Sequence, residues 1–219
     1  MAAITVALLG GGSSGKTSLG LALTHHLDTQ GVTAALVPDA LRAWREREGR
    51  APRAHELPAI AAAQSRSIGA AAGGGVQVVV ADATALVAAA CSEVVFNDTS
   101  LHPTALAQHR AVTLTLLMGL DFTSQANDPL SEGTASRAAM DAVLRRELQA
   151  ASIPFQTVYG PVDARLQHAL RSVGVSLGRP LVAHDPLLEH GTGRWTCENC
   201  SDPDCERRLF SGLVSRRPA

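Results

Sequence analysis

The sequence predicts a three-layer α/β fold, in which a parallel β-sheet lies between two layers of helices. Three observations indicate this fold. Short apolar runs alternate with longer Ala- and Leu-rich segments, each short run is continuously apolar, and the first run leads directly into a glycine-rich loop and a helical segment. Continuously apolar runs are typical of strands that are buried on both faces, as they are in parallel sheets covered by helices.

The predicted elements follow one another in a regular order. Five segments have the strand pattern: 3–9, 33–37, 76–81, 112–118 and 155–158. Helical segments fill the gaps between them: 16–30, 56–72, 84–90, 103–109, 137–151 and 163–173. Pro and Gly interrupt the chain after about residue 175. We therefore expect one α/β domain over residues 1–175 and a C-terminal extension over residues 176–219.

Composition narrows the classes of partner. The 219 residues are 46% hydrophobic and 18% charged, with a net charge of −1. This balance argues against nucleic acid or an anionic membrane as a partner. The first residues lack the basic segment of a signal peptide, and no apolar run reaches the roughly 18 residues of a membrane span. We expect a cytoplasmic protein with a small-molecule substrate.

The loop GGGSSGKT, residues 10–17, fits the phosphate-binding pattern G-x-x-x-x-G-K-[ST]. A strand precedes it and a helix follows it, which is the context that the motif requires. Backbone N–H groups of such a loop surround an anion, and the helix N-terminus adds positive potential. The nucleotide-binding residues predicted from it are Gly12, Ser13, Ser14, Gly15, Lys16, Thr17 and Ser18.

Lys16 is the only lysine in a chain with 18 arginines. A compact ammonium at this point reaches the β- and γ-phosphates, where a planar guanidinium would fit poorly. The Thr17 hydroxyl is positioned by the motif to bind Mg²⁺. The sequence therefore predicts ATP and Mg²⁺ as cofactors and Lys16 as a catalytic residue.

Asp82 ends the apolar run VQVVVAD. An acidic residue after a strand beside the phosphate loop anchors the Mg²⁺ shell in proteins of this kind. The alternative is that Asp82 caps the helix that begins near Thr84. Both interpretations are open at this point.

Asp39 and Arg42 follow the second strand, in VPDALR. Ligands bind at the carboxyl ends of strands in open α/β sheets, so this position favours contact with the substrate. Asp39 would accept a proton from a substrate hydroxyl or hold that hydroxyl by a hydrogen bond. The alternative is a solvated helix start, with Asp39 near the N-terminus and Arg42 one turn later.

The polar segment of residues 121–133 follows the fourth strand and is interpreted as a lid over the phosphates. The next helix carries Arg137, Arg145 and Arg146, any of which could neutralise phosphoryl charge or lie on a solvated face. Arg137 lies nearest to the lid in sequence and is predicted to be catalytic.

Three cysteines, Cys197, Cys200 and Cys205, are spaced C-x-x-C-x-x-x-x-C in the extension. This spacing predicts a structural Zn²⁺ site, with free thiols or a disulfide as alternatives. The fourth ligand is open between His184, His190, Cys91, water and a carboxylate.

The chain resembles NadR-like AAA-type ATPases, which are related to the nicotinamide riboside kinase domain of bifunctional NAD-biosynthesis proteins. The resemblance covers most of residues 3–173. It lies in GGGSSGKT, VPDALRAWREREGR, QSRSIG, VVVADATAL, LTLLMGLD, the helix with Arg137, and VYGPVDARL. WTCENCSDPDCERRLF also resembles the C-terminal run of one bacterial branch of these proteins.

The resemblance implies a phosphate-loop nucleoside-kinase or nucleotide-kinase fold, with a five-stranded parallel sheet in the order 2-3-1-4-5. It implies that Lys16 and Thr17 serve ATP and Mg²⁺, that Asp39 and Asp121 lie near the substrate, and that Asp82 lies near the metal. It also implies that the loop at Gly160 lies against adenine, with Arg165 just beyond it, so Gly160 and Arg165 are expected to bind the nucleotide.

The sequence departs from this family after Asp121. Where relatives have Pro-Trp and then Asp-Gly with basic residues, this chain has Phe-Thr-Ser and no basic residue before Arg137. The predicted function is ATP-dependent phosphorylation of a small nucleoside-like hydroxyl, as by a nicotinamide riboside kinase. The alternative is a non-kinase ATP-binding switch or regulatory protein with a degenerate acceptor site.

Overall fold

A computed structural model describes residues 3–121 and 134–182. These residues form a five-stranded, all-parallel sheet in the order β2-β3-β1-β4-β5, so the predicted fold and strand order are confirmed. The strands are β1 Ile4–Leu9, β2 Ala34–Val37, β3 Val78–Ala81, β4 Leu114–Met118 and β5 Gln156–Val158. The helices are α1 Lys16–Thr29, α2 Ala40–Glu48, α3 Leu57–Gly73, α4 Ala85–Phe96, α5 His102–His109, α6 Thr134–Ala150 and α7 Val162–Leu177.

Helices cover both faces of the sheet. Helices α1 and α7 pack against each other on one face, and α3, α4 and α6 lie on the other with α2 and α5. Helix α4 is the centre of its layer, and its first eight residues are all buried. This position explains why its sequence, ALVAAACS, has no polar face. The helix predicted at 84–90 corresponds to α4, which continues to Phe96 and is longer than expected.

Helix α2 is absent from the predicted elements. Its sequence, ALRAWRERE, offers only Leu41, which is buried, and Trp44, which packs against the core beside α3 and α4. So short an apolar face is a weak periodic signal. The helix forms because Asp39 caps its first turn and Gly49, in the left-handed conformation, ends it.

The central strand β1 positions the site. It pairs with β3 through Ile4–Ala7 opposite Val78–Ala81, and with β4 through Val6–Leu9 opposite Leu114–Leu117. All five strands are parallel, so the segments that follow them meet at one edge of the sheet, where ligands bind in folds of this type.

The chain divides into two compact units, Met1–Leu181 and Val182–Ala219. Helix α7 continues to Leu177, two residues beyond the predicted end of the first domain. Apart from Val182, the second unit lies outside the described residues. The division at residues 175/176 therefore stays a prediction.

Candidate functional site

The phosphate loop joins β1 to α1 at the carboxyl edge of the sheet. Gly15 immediately precedes α1 with φ of 85°, a left-handed conformation in which a side chain is strained. The Ser14 hydroxyl donates to the Gly11 carbonyl at 2.9 Å and closes the loop on itself. The local sequence thus folds into an anion-binding loop at a helix N-terminus. Gly12 and Ser13 lie in the same loop, and Ser18 is exposed in the first turn of α1.

Lys16 lies across this loop. Its ammonium donates to the carbonyls of Gly10 and Gly11 at 2.9 and 2.8 Å, and the residue is 8% exposed. These neutral carbonyl contacts can be exchanged for phosphate oxygens, which form stronger charge-assisted bonds. The ammonium therefore lies against the loop, and its role toward phosphates stays a prediction of the motif.

Asp82 meets Thr17 beside the loop. The Thr17 hydroxyl donates to Oδ2 of Asp82 at 2.5 Å, and Asp82 is 2% exposed. Burial raises the pKa of the Asp82 carboxyl, while the Thr17 hydrogen bond and the Lys16 charge lower it in part. Oδ1 of Asp82 has no hydrogen-bond partner among the described residues.

These two side chains fit a Mg²⁺ ion. A hydroxyl and a carboxylate are the oxygen ligands that Mg²⁺ prefers, and the second carboxylate oxygen remains available to its water shell. Asp82 does not cap α4, which was the alternative interpretation of this residue. Thr84 caps α4 by accepting from the Leu86 amide at 3.3 Å.

Asp39 is the N-cap of α2, as the structural alternative for this residue predicted. Its Oδ1 accepts from the amides of Leu41 and Arg42 at 2.9 and 3.2 Å. Arg42, which is exposed, pairs with Glu46 and also donates to the Thr17 hydroxyl. The segment after β2 therefore touches the predicted metal ligand, and its two roles, cap and substrate contact, do not exclude each other.

Gln64 of α3 was missed by sequence analysis. It is 3% exposed, and its side-chain oxygen accepts from the Ala40 amide at 2.6 Å while its side-chain nitrogen donates to the Ala83 carbonyl at 2.9 Å. It thus ties the segment after Asp39 to the segment after Asp82. The QSRSIG run gave the only hint, a glutamine on a predicted helix.

Arg137 packs directly on the phosphate loop. A Cβ atom on Gly11 would lie 2.9 Å from Cγ of Arg137, so the glycine is required for this approach. Arg137 is 6% exposed, and its Nε has no partner among the described residues. Of the three candidate arginines, Arg137 lies against the loop, whereas Arg145 pairs with Asp141 and Arg146 with Glu93 and Glu147.

Asp121, Gly160 and Arg165 lie together beside the loop. Arg165 is 2% exposed and donates to the Ser14 carbonyl at 2.9 Å, to the Gly160 carbonyl at 2.8 Å and to Oδ1 of Asp121 at 2.9 Å. Burial acts to raise the pKa of Asp121, but the Gly160 amide and the Arg165 charge lower it below its ordinary value. The family resemblance had placed these residues near the site, but nothing in the sequence indicated this network.

Some predicted residues lie outside the described part of the chain: the lid beyond Asp121, and Cys197, Cys200 and Cys205 with His184 and His190. Within the described part, the ligand atoms of Glu93, His102 and Glu147 lie within 4.8 Å of one another. The Arg146 guanidinium bonds to both carboxylates, at 2.6 and 2.8 Å. This group is therefore an ion-pair network whose cation is an arginine.

No helix within residues 3–121 and 134–182 has the length and apolar character needed to cross a membrane.

Comparison with known proteins shows the relatives of this fold. A family model described as an AAA domain matches residues 5–165. A NadR protein in complex with NR has a TM-score of 0.70 and 16% identity, with 84% of this chain and 54% of that chain covered. A second NadR structure, with NAD and AMP-PNP, has a TM-score of 0.65 and 16% identity over 84% and 51% of the two chains. This chain therefore spans about half the length of the NadR chains.

A deoxyadenosine kinase from M. mycoides, with dCMP and dCDP bound, has a TM-score of 0.53 and 12% identity, over 78% of this chain and 100% of that one. None of the curated proteins has a significantly similar sequence. At these identities the likeness to NadR and deoxyadenosine kinase shows a shared phosphate-loop, nucleoside-kinase-like fold. The family match extends from β1 to Arg165 and includes the phosphate loop. The protein therefore belongs to the AAA-domain family that this match defines.

Proposed function

We propose that the protein is a kinase that transfers a phosphoryl group from ATP to the hydroxyl of a small nucleoside-like molecule. One observation carries the proposal. Arg42, in the helix that Asp39 caps, donates to the Thr17 hydroxyl, which in turn donates to Asp82. The residues assigned to the acceptor and the residues assigned to Mg·ATP therefore form one continuous chain of hydrogen bonds.

The phosphate side follows from the loop. The amides that precede α1 would bind the β- and γ-phosphates, and Lys16 would exchange the Gly10 and Gly11 carbonyls for phosphate oxygens. Thr17 and Asp82 would hold Mg²⁺, which neutralises charge that develops on the phosphates. Arg137, packed on Gly11, would place its guanidinium beside the same charge.

The acceptor side follows from Asp39. Its Oδ1 caps α2, so Oδ2 is the atom that would accept the hydrogen bond of the acceptor hydroxyl. As the acceptor oxygen bonds to the γ-phosphorus, the bond from that phosphorus to the β-phosphate oxygen breaks and ADP leaves. The hydroxyl proton passes to Asp39. Arg42 would release Thr17 and turn to the acceptor or to the transferred phosphoryl group.

A nucleoside-like acceptor is supported by the molecules bound in structures that share this fold. The NadR and deoxyadenosine kinase structures that share it contain NR, AMP-PNP or deoxynucleotides. The loop at Gly160, after β5, would lie against the adenine, and Asp121, which follows β4, holds that loop by accepting from the Gly160 amide. ATP chemistry of this kind fits the expected cytoplasmic location, as does the close spacing of Cys197, Cys200 and Cys205, which suits a metal better than a disulfide framework.

A second function has its own support in the sequence. Between Asp121 and Arg137 the chain has neither the tryptophan nor the basic residues of its relatives. A protein that binds ATP but lacks an acceptor site would act as a nucleotide-dependent switch. Its ATP turnover would not respond to any nucleoside.

The test is ADP release by the full-length protein with and without a panel of nucleosides, in the parent and in Asp39→Asn. Asn is as good an N-cap as Asp, so α2 is preserved while the carboxylate is lost. We expect one nucleoside to stimulate ADP release, and Asp39→Asn to lower that stimulated rate by about 10²–10⁴-fold with ATP affinity unchanged. Turnover that no nucleoside stimulates would reject the kinase and favour the switch.

We also propose that Cys197, Cys200 and Cys205 bind a structural Zn²⁺ ion. The support is their spacing, since thiolates three and five positions apart can share one tetrahedral ion. We expect about one zinc per chain by elemental analysis of freshly purified protein, and loss of that zinc in Cys200→Ser. Cys91→Ser, which changes a buried thiol of α4, tests Cys91 as the fourth ligand, since zinc that is retained in this variant excludes it. Metal-free parent protein would reject the zinc site.

A further inference from the structure

We propose that Arg165 and Asp121 are positioning residues that lock the phosphate loop to the base-binding loop at Gly160, and that neither side chain contacts the nucleotide or the acceptor. The proposal rests on the proposed ATP site. It replaces the direct contacts that the family resemblance implied, with the substrate for Asp121 and with the nucleotide for Arg165. Three features of the structure support it: the burial of Arg165, the direction in which it holds one peptide of the phosphate loop, and the way the pair encloses Gly160.

The burial of Arg165 leaves its donors committed within the protein. Its Nε donates to the Gly160 carbonyl, one terminal nitrogen to the Ser14 carbonyl, and the other to Asp121. The side chain is 2% exposed. A guanidinium has five donors in one rigid plane, so a single arginine can bridge several segments in a way that lysine cannot. To contact a ligand, Arg165 would first have to break these bonds.

The bond to Ser14 fixes a peptide of the phosphate loop. The Ser14 carbonyl and the Gly15 amide belong to one peptide unit, and the described chain has no cis peptides. In a trans peptide the carbonyl and the N–H point in opposite directions. With the carbonyl held at 2.9 Å by Arg165, the Gly15 N–H is directed away from Arg165. Backbone amides of such a loop bind anions, so Arg165 sets the orientation of the Gly15 amide by holding the carbonyl on the opposite side of the same peptide unit.

The pair also encloses Gly160. The Gly160 amide donates to Oδ2 of Asp121 at 2.6 Å, and the Gly160 carbonyl accepts from Arg165 at 2.8 Å. Gly160 has φ of 92°, a conformation that turns the chain sharply between β5 and α7. Both polar groups of this turn are thus held by two side chains that are bonded to each other.

One consequence follows for nucleotide binding. The loop for the phosphates and the loop for the base are joined through a single buried guanidinium, so they form one preorganised unit. Preorganisation strengthens binding because less freedom is lost when the ligand arrives. Loosening Arg165 should therefore disorder the phosphate loop before any ligand is present.

The experiment uses the ligand-free, full-length protein. Hydrogen exchange of the backbone amides of residues 10–18 is compared in the parent, Arg165→Lys, Asp121→Asn and Arg110→Lys. Arg110 is the matched control. It is an exposed arginine outside the site, and it donates to the Ala151 carbonyl at 3.0 Å. Binding of inorganic tripolyphosphate, which has no base, is measured on the same variants.

We expect Arg165→Lys to speed exchange in residues 10–18 and to weaken tripolyphosphate binding, each by roughly tenfold, the equivalent of one lost charge-assisted hydrogen bond. Asp121→Asn should do the same to a smaller extent, and Arg110→Lys should leave both unchanged. Asp121→Asn keeps the guanidinium and carries the test alone if Arg165→Lys does not fold.

Unchanged exchange in both site variants would overturn the proposal, even if tripolyphosphate binding weakens, because that result indicates direct contact with the ligand. Exchange that rises equally throughout the protein would also overturn it, since it indicates a general structural role. A parent protein that binds neither tripolyphosphate nor ATP would instead reject the proposed function, while the exchange data would still decide the positioning role.

Discussion

Two buried polar side chains lie near the junction of β3 and α4, and they differ in how completely they are bonded. Asp82 keeps one carboxylate oxygen without a partner among the described residues. His109, which is 1% exposed, bonds through both ring nitrogens, Nδ1 with Thr84 at 3.0 Å and Nε2 with Thr115 at 2.9 Å. Burial raises the pKa of Asp82 and lowers the pKa of His109 to about 4.

The comparison separates a binding role from a structural one. A buried polar group that is fully bonded stabilises one conformation of the core, as His109 does between α5, β4 and the start of α4. A buried carboxylate with a spare oxygen costs stability unless something else satisfies it. Asp82 lies beside Thr17 and Lys16, so we infer that its cost is offset by the bound metal and nucleotide.

The largest effect is expected on the binding side, from Lys16. Lys16→Ala should lower ATP turnover by at least about 10²–10³-fold, because the ammonium is the charge that the loop presents to the phosphates. Lys16→Arg should also be badly impaired, since the guanidinium is wider than the place the loop provides. The measurements are ATP binding and turnover. Arg66→Ala, which removes one exposed positive charge, is the control, and parent-like turnover in Lys16→Ala would contradict the assignment.

The next effect is expected on the structural side, from His109. Its folded-state pKa is about 4, below the ordinary 6.5, so the unfolded chain binds the proton more readily. Stability should therefore be full above pH 6.5 and should fall by about 3 kcal/mol as the pH drops to 4.

Urea unfolding at a series of pH values measures this loss. His109→Gln should be less stable at pH 7 and should lose this part of the pH dependence, whereas His25→Gln, at an exposed position, should keep it. An unchanged acid profile in His109→Gln would place the pH sensitivity elsewhere.

For Asp82→Asn we expect little change in stability, in contrast to His109→Gln, and a change in Mg²⁺ dependence instead. Removing a buried charge should leave the free energy of unfolding of the ligand-free protein within about 1 kcal/mol of the parent, or above it. The Mg²⁺ concentration for half-maximal ATP turnover should rise by about 10–100-fold. Asp28→Asn, at an exposed carboxylate, is the control. A large loss of stability with unchanged Mg²⁺ dependence would make Asp82 resemble His109 and would erase the distinction.

The smallest effect is expected from Arg146 of α6, which pairs with Glu93 of α4 and Glu147 of α6. Its side chain is 51% exposed, and ion pairs at such positions contribute little because water and salt screen them. Arg146→Gln should lower the free energy of unfolding by less than about 1 kcal/mol and leave ATP turnover unchanged. A loss of several kcal/mol in denaturant unfolding would show that these charges act as part of the core.

Much of the fold could be predicted because its signals are local. The apolar runs marked the strands, and the loop of residues 10–17 fixed where α1 begins. Lys16 and Thr17 lie in that loop, and Asp82 ends a strand, so a motif and a strand end were enough to bring them together. Helix α2 was not predicted because its only large apolar side chains are Leu41 and Trp44.

The rest of the site depends on long-range contacts, which leave no pattern in the sequence. Arg165 and Ser14 are 151 positions apart, and nothing near either residue indicates their hydrogen bond. Gln64 joins the segments after β2 and β3 from a third element. Asp82 was offered as the cap of α4, but Thr84 caps that helix, because both residues have the right chemistry and only the backbone geometry selects Thr84.

The most direct test of the account is calorimetric titration of ATP into the parent and into Thr17→Val, with Mg²⁺ and with EDTA. Valine keeps the shape of threonine and removes the hydroxyl that bonds to Asp82. We expect the parent to bind ATP at least about tenfold more tightly with Mg²⁺ than with EDTA, and Thr17→Val to lose that difference. Equal affinity in the two solutions for the parent, or an undiminished Mg²⁺ effect in Thr17→Val, would contradict a Mg·ATP site at Lys16, Thr17 and Asp82.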